Sequence, residues 1–246
     1  MIFSVTNQKG GVGKTTVAVN LAHALAQSGK RVLLVDMDSQ ANASALLGVR
    51  NPGRSIFDAL VDPFEVPLSE IFVVVAPNFA LAPGARAMAG LESALRDEPG
   101  REQVLKEVLE SVKDQFDFII VDNGPTLGLP VLMSLVAADC ALIPLLCERL
   151  AVEGLSQAFK TVETIKRRLN PTLQKRIVLS MIDGRLSDSK QIAADVRANL
   201  GHQVLQTTIS TSSQLKAGSP VLEVSPTGSA AGQFRTLAEE VGGLTL

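Results

Sequence analysis

The stretch KGGVGKTT at residues 9–16 decides the fold. It follows a short apolar run (Ile2, Phe3, Val5) and leads into a helical pattern (Val17, Leu21, Leu25). A strand, a glycine-rich turn and a helix N-terminus in that order form an anion cradle. Glycines let the backbone approach an anion, and the first helical turn points its free N–H groups at it. Lys14 supplies a point charge for β- and γ-phosphates, and the Thr15 hydroxyl is placed to ligate Mg²⁺. Gly10, Gly11, Val12, Gly13 and Thr16 complete the nucleotide-binding loop. The general phosphate-loop pattern has a glycine five residues before Gly13. Gln8 stands there instead, and a second lysine, Lys9, opens the loop.

Outward from the loop, apolar runs alternate with helical patterns. Strands are expected at 2–6, 31–36, 71–76, 117–122, 140–146, 176–182 and, as a short edge, 202–209. The run at 71–76 reads as another buried strand. Helices are expected at about 14–28, 85–96, 100–113, 126–137, 151–169, 187–200 and 227–241. Residues 49–70, with Pro52, Gly53, Pro63 and Pro67 around a helical piece at 56–60, read as a surface excursion. Near-continuous apolar strands are typical of parallel strands covered on both faces. The alternation implies an α/β fold, a single doubly wound, mostly parallel sheet with helices on both faces, and one domain over 1–246. Asp36, Asp38 and Asp122 then fall at strand ends, where ligands sit in open α/β sheets.

Composition narrows the class. No run reaches the ~18 apolar residues of a membrane span, and the N-terminus shows no basic segment ahead of an apolar one, so no secretory signal is expected. Cys140 and Cys147 fit neither a metal spacing nor a disulfide framework, which suits reduced, buried thiols in the cytoplasm. The formal net charge of −2 argues against nucleic-acid binding through overall charge. Residues 149–216, however, hold eleven Lys/Arg against five Asp/Glu, whereas 1–148 hold eleven against seventeen. Such an excess is a local electrostatic footprint or simply a set of solvated helix faces.

KGGxGKT is the deviant form of the Walker A loop, and with it the sequence resembles the ParA/MinD group of P-loop ATPases. The resemblance to ParA/Soj-type partition ATPases covers nearly the whole chain: NQKGGVGKTT (7–16), GKRVLLVDMDSQANAS (29–44), DFIIVDNGPTLG (117–128), SMIDGR (180–185) and SPTGSAAGQFRTLAEEV (225–241). It implies ATP and Mg²⁺ as cofactors, with Lys14 and Thr15 on the phosphates and metal. Asp122 resembles the Walker B aspartate that holds Mg²⁺ directly or through water. Asp38, in a stretch like switch I, would position or deprotonate the attacking water, with Asp36 completing the metal site from behind its direct ligands. Lys9 would reach across a dimer interface to the partner subunit's ATP.

The resemblance further implies a slow ATPase, cytoplasmic and nucleoid-associated, that cycles into an ATP-sandwich homodimer. That dimer would bind DNA without sequence preference and be stimulated by a ParB-like or cargo-adaptor protein. Its cargo would be a plasmid, a chromosome origin, or a protein assembly such as a carboxysome or chemoreceptor cluster. With a strand expected from residue 2, no N-terminal helix-turn-helix is expected.

Several positions depart from the family pattern. Ser39 replaces the proline of DxDPQ, and Asn123–Gly124 replace a small residue and proline. In ISTSSQLKAGSP (209–220), Ser210 and Ser212 occupy the positions that line the adenine pocket, and Thr211 and Gln214 occupy two arginine positions. Arg185 matches a DNA-binding arginine, and Lys216 is a candidate substitute. The alternatives are a MinD-like membrane-surface positioning ATPase or a metabolic P-loop enzyme such as an amide ligase. The last helical pattern, with paired Glu239 and Glu240 and one arginine, is not one that anionic lipid attracts, so no membrane partner is expected.

Overall fold

The structure, a computed structural model, describes residues 1–148, 151–182, 187–216 and 220–245, with backbone alone at 151–154, 187 and 216. In its first half, β1 (Ile2–Val5) leads through the glycine loop to α1 (Lys14–Gln27) and β2 (Val32–Asp36). Next come α2 (Asn42–Leu46), α3 (Ile56–Val61), β3 (Val73–Ala76), β4 (Phe79–Ala82), α4 (Leu91–Ala94) and α5 (Val104–Glu110). The second half runs β5 (Phe118–Asp122), α6 (Leu129–Ala137), β6 (Cys140–Leu146), α7 (Ala151–Arg168), β7 (Gln174–Ile182), α8 (Ser187–Leu200) and β8 (Val204–Ser210). Two C-terminal helices, α9 (Val221–Val224) and α10 (Ser229–Gly242), close it.

The strands form one sheet in the order β3-β4-β2-β5-β1-β6-β7-β8. All neighbours pair in parallel except β3 with β4. Alternate side chains go to opposite faces, as the pleat requires. Val32, Leu34, Phe118, Ile120 and Leu142 pack with α1, α9 and α10, whereas Leu33, Val35, Ile119, Val121 and Ile143 pack on the other face. That second face is covered by α3 to α5 on one side and by α6 to α8 on the other. The architecture is the expected doubly wound, mostly parallel P-loop fold.

Helix α1 is buried through every residue from Val17 to Ala26 because the sheet lies on one side and α10 on the other. Its alanine-rich sequence suits such close approach. Its one buried amide, Asn20, is satisfied by donating to Thr16 O (2.8 Å) and accepting from Val221 N (2.8 Å).

The sheet corrects one sequence expectation. The 71–76 run does not make a buried strand: β3 is an antiparallel edge, with Val73 41% and Val74 74% exposed. The buried parallel neighbour of β2 is β4, which the pattern missed. Branched side chains signal an extended chain rather than its burial. The reversal between the strands turns on Pro77 and Asn78, the latter at φ +61°, which asparagine tolerates. The helix expected at 85–96 is a 3₁₀ turn (Arg86–Gly90) running into the short α4, and that at 100–113 contracts to α5. Helix α6 starts at Leu129, after Gly128 and with Pro130 in its first turn, and α9 was not foreseen. Strand β8 is the edge expected, its outward N–H groups at Gln206 and Thr207 capped by Glu240 of α10 (2.6 and 2.9 Å).

Candidate functional site

Strand ends β1, β2 and β5 lie side by side where the glycine loop begins. Asp36 of β2 pairs in register with Asp122 of β5, and Val5 of β1 also pairs with Asp122. Two carboxylates and the phosphate loop therefore share the C-terminal edge of the sheet, beside the central strand from which the topology winds both ways.

The loop's own glycines and its neighbours set its shape. Gly11 and Gly13 take φ +73° and +85°, a region that side-chain-bearing residues avoid. Gly13 O then accepts from Val17 N (2.8 Å), starting α1. Asn7 anchors the loop's entrance, donating to Pro144 O (2.9 Å) and accepting from Lys9 N (3.0 Å). Ser180 Oγ donates to Val12 O (2.8 Å), and a Cβ on Gly13 would lie 3.5 Å from Met181 Sδ. The end of β7 thus braces the loop from the side.

Lys14 is buried, and its Nζ donates to Lys9 O at 3.2 Å. Burial lowers its pKa, while the charges of Asp122 and Asp38 pull it back up. Lys9 is placed differently. Its main chain belongs to the cradle, but its ammonium lies 3.7 Å from Glu148 Oε2, with side-chain exposures of 29% and 60% for the pair. Glu148 follows β6 and was not singled out in the sequence. A carboxylate just past a strand adjoining β1 was the available signal.

Asp122 is fully buried, and neither of its oxygens makes a regular hydrogen bond. Thr15 is near enough to favour its charged form in part. Burial, then the neighbouring Asp36, hold its pKa well above the usual carboxylate range. Asp36 is also buried, and burial pushes its pKa up to about 6. It accepts from Ser44 N (2.9 Å) and Oγ (2.7 Å) with Oδ2, and from Asp38 N (3.2 Å) with Oδ1. Ser44 Oγ in turn accepts from Gly84 N (2.9 Å), and a Cβ at Gly84 would stand 2.8 Å from Asp36 Cγ.

Asp38 accepts from Gln40 N (3.0 Å), so it closes its own loop as well as facing the site. A Cβ at Gly124 would come within 3.1 Å of Asp38 Oδ1, so this glycine lets the carboxylate lie over the exit of β5. The departure at Asn123 has a cause too. Its buried amide donates to Ser134 Oγ (2.9 Å), Val5 O (3.1 Å) and Ser4 Oγ (3.2 Å), and the two serine hydroxyls bond each other.

The Thr15 hydroxyl and the unpartnered Asp122 oxygens fit Mg²⁺, which takes one or two protein oxygens and fills its shell with phosphates and water. Among the described residues no three His, Cys, Asp or Glu side chains form an all-protein cage. Ser210 ends β8 beside β7 and is bound to Gln233, whose Oε1 accepts from Ser210 N (2.9 Å). Ser212 Oγ accepts from Gln214 N (3.2 Å). Both lie on the β7–β8 side, where Met181 meets Gly13, rather than in the phosphate cradle itself. Arg185 lies outside the described residues. Lys216 ends a 3₁₀ turn (Gln214–Lys216), and its side chain is likewise outside them.

This geometry defines the class. Residues 1–175 match the family described as AAA domain, and the chain belongs to it; it is a P-loop ATPase of the ParA/MinD type. Among its relatives, the sporulation initiation inhibitor protein Soj of Bacillus subtilis is 38% identical over 98% of this chain and 97% of its own. The chromosome partitioning protein ParA of Myxococcus xanthus is 40% identical over 85% of this chain and 74% of its own. A solved structure of cobyrinic acid a,c-diamide synthase from Mycobacterium smegmatis, with bound ATP analog and magnesium, superposes with a TM-score of 0.84 at 31% identity, over 98% of this chain and 93% of that one. Among the described residues no helix is long and apolar enough to cross a membrane.

Proposed function

We propose that the chain, as one domain, binds ATP with Mg²⁺, pairs through an ATP-sandwich dimer and positions or segregates a cargo on nucleoid DNA, with slow hydrolysis stimulated by a partner protein. One observation carries the reading: Lys9 gives its backbone to the cradle but holds its ammonium at the rim, against a half-exposed Glu148. Lys14 already serves the phosphates from within. An exposed ion pair of this kind is worth about 0–1 kcal/mol, so Lys9 exchanges it readily for a triphosphate on a second copy. A cation delivered in trans stabilises charge on the transferring phosphoryl group, an effect worth about 10³–10⁵ in rate where arginine performs it.

In this reading Lys14, Thr15 and the loop amides hold the nucleotide, and Asp122 with Asp36 behind it holds the metal. Asp38 orients the attacking water, and the chain around Ser210 and Ser212 receives the base. Arg185 and Lys216 are the proposed DNA contacts. Some of the basic excess is engaged within the fold: Arg197 donates to Leu205 O (2.7 Å) and Gln206 O (2.9 Å), and Lys175 pairs with Glu163. The exposed end of α7, with Arg167 and Arg168, remains available for phosphates.

Helix α10 does not fit a membrane anchor, because Phe234, Leu237 and Val241 are buried against the core. Small-molecule amidation is the second reading, favoured by the likeness to the diamide synthase. It requires turnover that depends on an acceptor carboxylate, whereas the positioning ATPase responds to DNA and its partner.

The deciding experiment is light scattering with ATP on the wild type and on Lys9→Ala. Wild type should pair and the variant should not; a variant that pairs normally sinks the role of Lys9. Arg185→Ala should weaken DNA binding across sequences and lower the salt slope by about 1. A wild type that fails to shift DNA at low salt with ATP removes the track.

A further inference from the structure

The chain between α3 and β3 borders a groove that the phosphate site does not use. Its floor is the buried Leu60, Leu68, Leu95, Val104 and Val108, and it encloses about 430 Å³. None of its lining belongs to the phosphate loop or to the loops carrying Asp36, Asp38 and Asp122.

Phe64 stands at the mouth, 95% exposed, with Val61 40% exposed beside it. The turn that holds Phe64 out is closed at both ends: Val66 N donates to Asp62 O (2.9 Å) and Glu65 N to Asp62 Oδ1 (3.2 Å). A phenylalanine so held forgoes the stabilisation that burying its ring would bring. A second surface coming down on it would recover that stabilisation.

The charge of the rim says which surface. Asp62, Glu98 and Glu107 line the groove and no lysine or arginine does. Glu98 and Glu107 have no ion-pair partner among the described residues. The floor side chains are all apolar, so nothing there orients a small molecule as the convergent polar groups of a ligand pocket do. Two of the walls are helices, α3 and α5, and a groove between helices accepts a third laid along it.

We infer that the groove between α3 and α5 docks an amphipathic helix of a partner protein, one that lays leucine-like side chains on the floor beside Phe64 and carries lysines or arginines along its borders. Carboxylates at the rim speed such an encounter and make it sensitive to salt. The groove shares no residue with the phosphate loop or with the positions proposed for pairing and DNA binding, so its occupation can be tested apart from either.

The test is fluorescence anisotropy on the full chain without nucleotide. The probe is a labelled peptide with leucines at i, i+3, i+4 and i+7 and lysines elsewhere, set against a peptide of the same composition with its leucines spread around the helix. Wild type should prefer the ordered peptide. Glu98→Lys combined with Glu107→Lys, and separately Phe64→Ser, should each weaken it by about tenfold or more. Hydrogen exchange should slow in residues 56–70 and 104–111, and the variants' basal ATPase should match wild type, which keeps this result separate from any failure of the nucleotide site. Equal binding of the two peptides, binding indifferent to the variants, or protection elsewhere overturns the inference. So does nucleotide-free self-association that Phe64→Ser abolishes, which would assign the groove to a second copy.

Discussion

Asp122→Asn should make the metal-free protein more stable while abolishing its Mg²⁺-dependent activity. Asp122 is wholly buried, has no regular hydrogen-bond partner, and lies beside a second buried carboxylate, Asp36. A buried polar group left unpaired costs about 1–3 kcal/mol, and more when charged. Asparagine has nearly the same shape and no charge; its amide stays unpaired there, so the apoprotein recovers only the extra cost of the charge, about 1–2 kcal/mol where wild type is ionised. At about 2–4 °C per kcal/mol for a chain of this size, the melting temperature should rise by several degrees. The sign of the pH dependence follows. The folded pKa of Asp122 is raised, so wild type binds this proton more tightly when folded. The stability it contributes is present near the unfolded value of 3.8 and is lost as pH rises through the folded value. The variant's advantage should therefore be smaller at pH 5 than at pH 8. Saturating Mg-ATP should reverse the order, since a ligand at a hundred times its Kd adds about 2.7 kcal/mol to wild type and less to a variant that holds the metal poorly. The assay is a thermal melt of both proteins in EDTA and in Mg-ATP across that pH range. An apo variant less stable than wild type at pH 8 would refute the reasoning, because the carboxylate would then be a structural acceptor rather than a group awaiting a cation.

Gly84→Ala should cost about 1–3 kcal/mol, the usual price of overpacking, because its Cβ would stand 2.8 Å from both Asp36 Cγ and Asp36 O; a melt within a degree of wild type would contradict this. His23 is buried against Phe79, and burial lowers its pKa although Glu223 lies 3.6 Å away. Its folded form resists protonation, so wild type should lose stability as pH falls below about 6.5, and His23→Leu should lose less between pH 7.5 and 5.5; parallel melting curves would contradict it. Glu240→Ala should remove the cap on two β8 N–H groups and lower stability by about 1–3 kcal/mol, with hydrogen exchange at Gln206 and Thr207 rising first.

The phosphate loop and the two strand-end aspartates were legible because each combines a residue type with an obligatory setting. KGGVGKTT has meaning only between a strand and a helix, and Asp36 and Asp122 end runs that a parallel sheet buries on both faces. The hairpin of β3 and β4 was not legible. Ala80 and Ala82 carry little strand signal, and an edge strand rich in valine reads like a central one. Nor could the supports be read. Glu148 meets Lys9, Ser44 meets Asp36, Ser180 meets Val12 and Asn123 meets Ser134 only once distant strands are set side by side, and pairing order is not written locally. Gly84 and Gly124 look like ordinary loop glycines until the carboxylate beside each is placed.

Those supports also bind the site to the loops around it through Asp36. Asp36 touches the nucleotide side through its register neighbour Asp122 and the loop side through Ser44 and the Asp38 N–H. Burial pushes its pKa up to about 6, and its charge helps to hold the pKa of Asp122 well above the usual carboxylate range. Bonds accepted by an ionised carboxylate are roughly twice as strong as those accepted by a neutral group. The gain falls on α2 through Ser44, on the end of β4 through Gly84, and on the turn that carries Asp38. The carboxylate in register with Asp122 is therefore also the group that ties down the turn bearing Asp38.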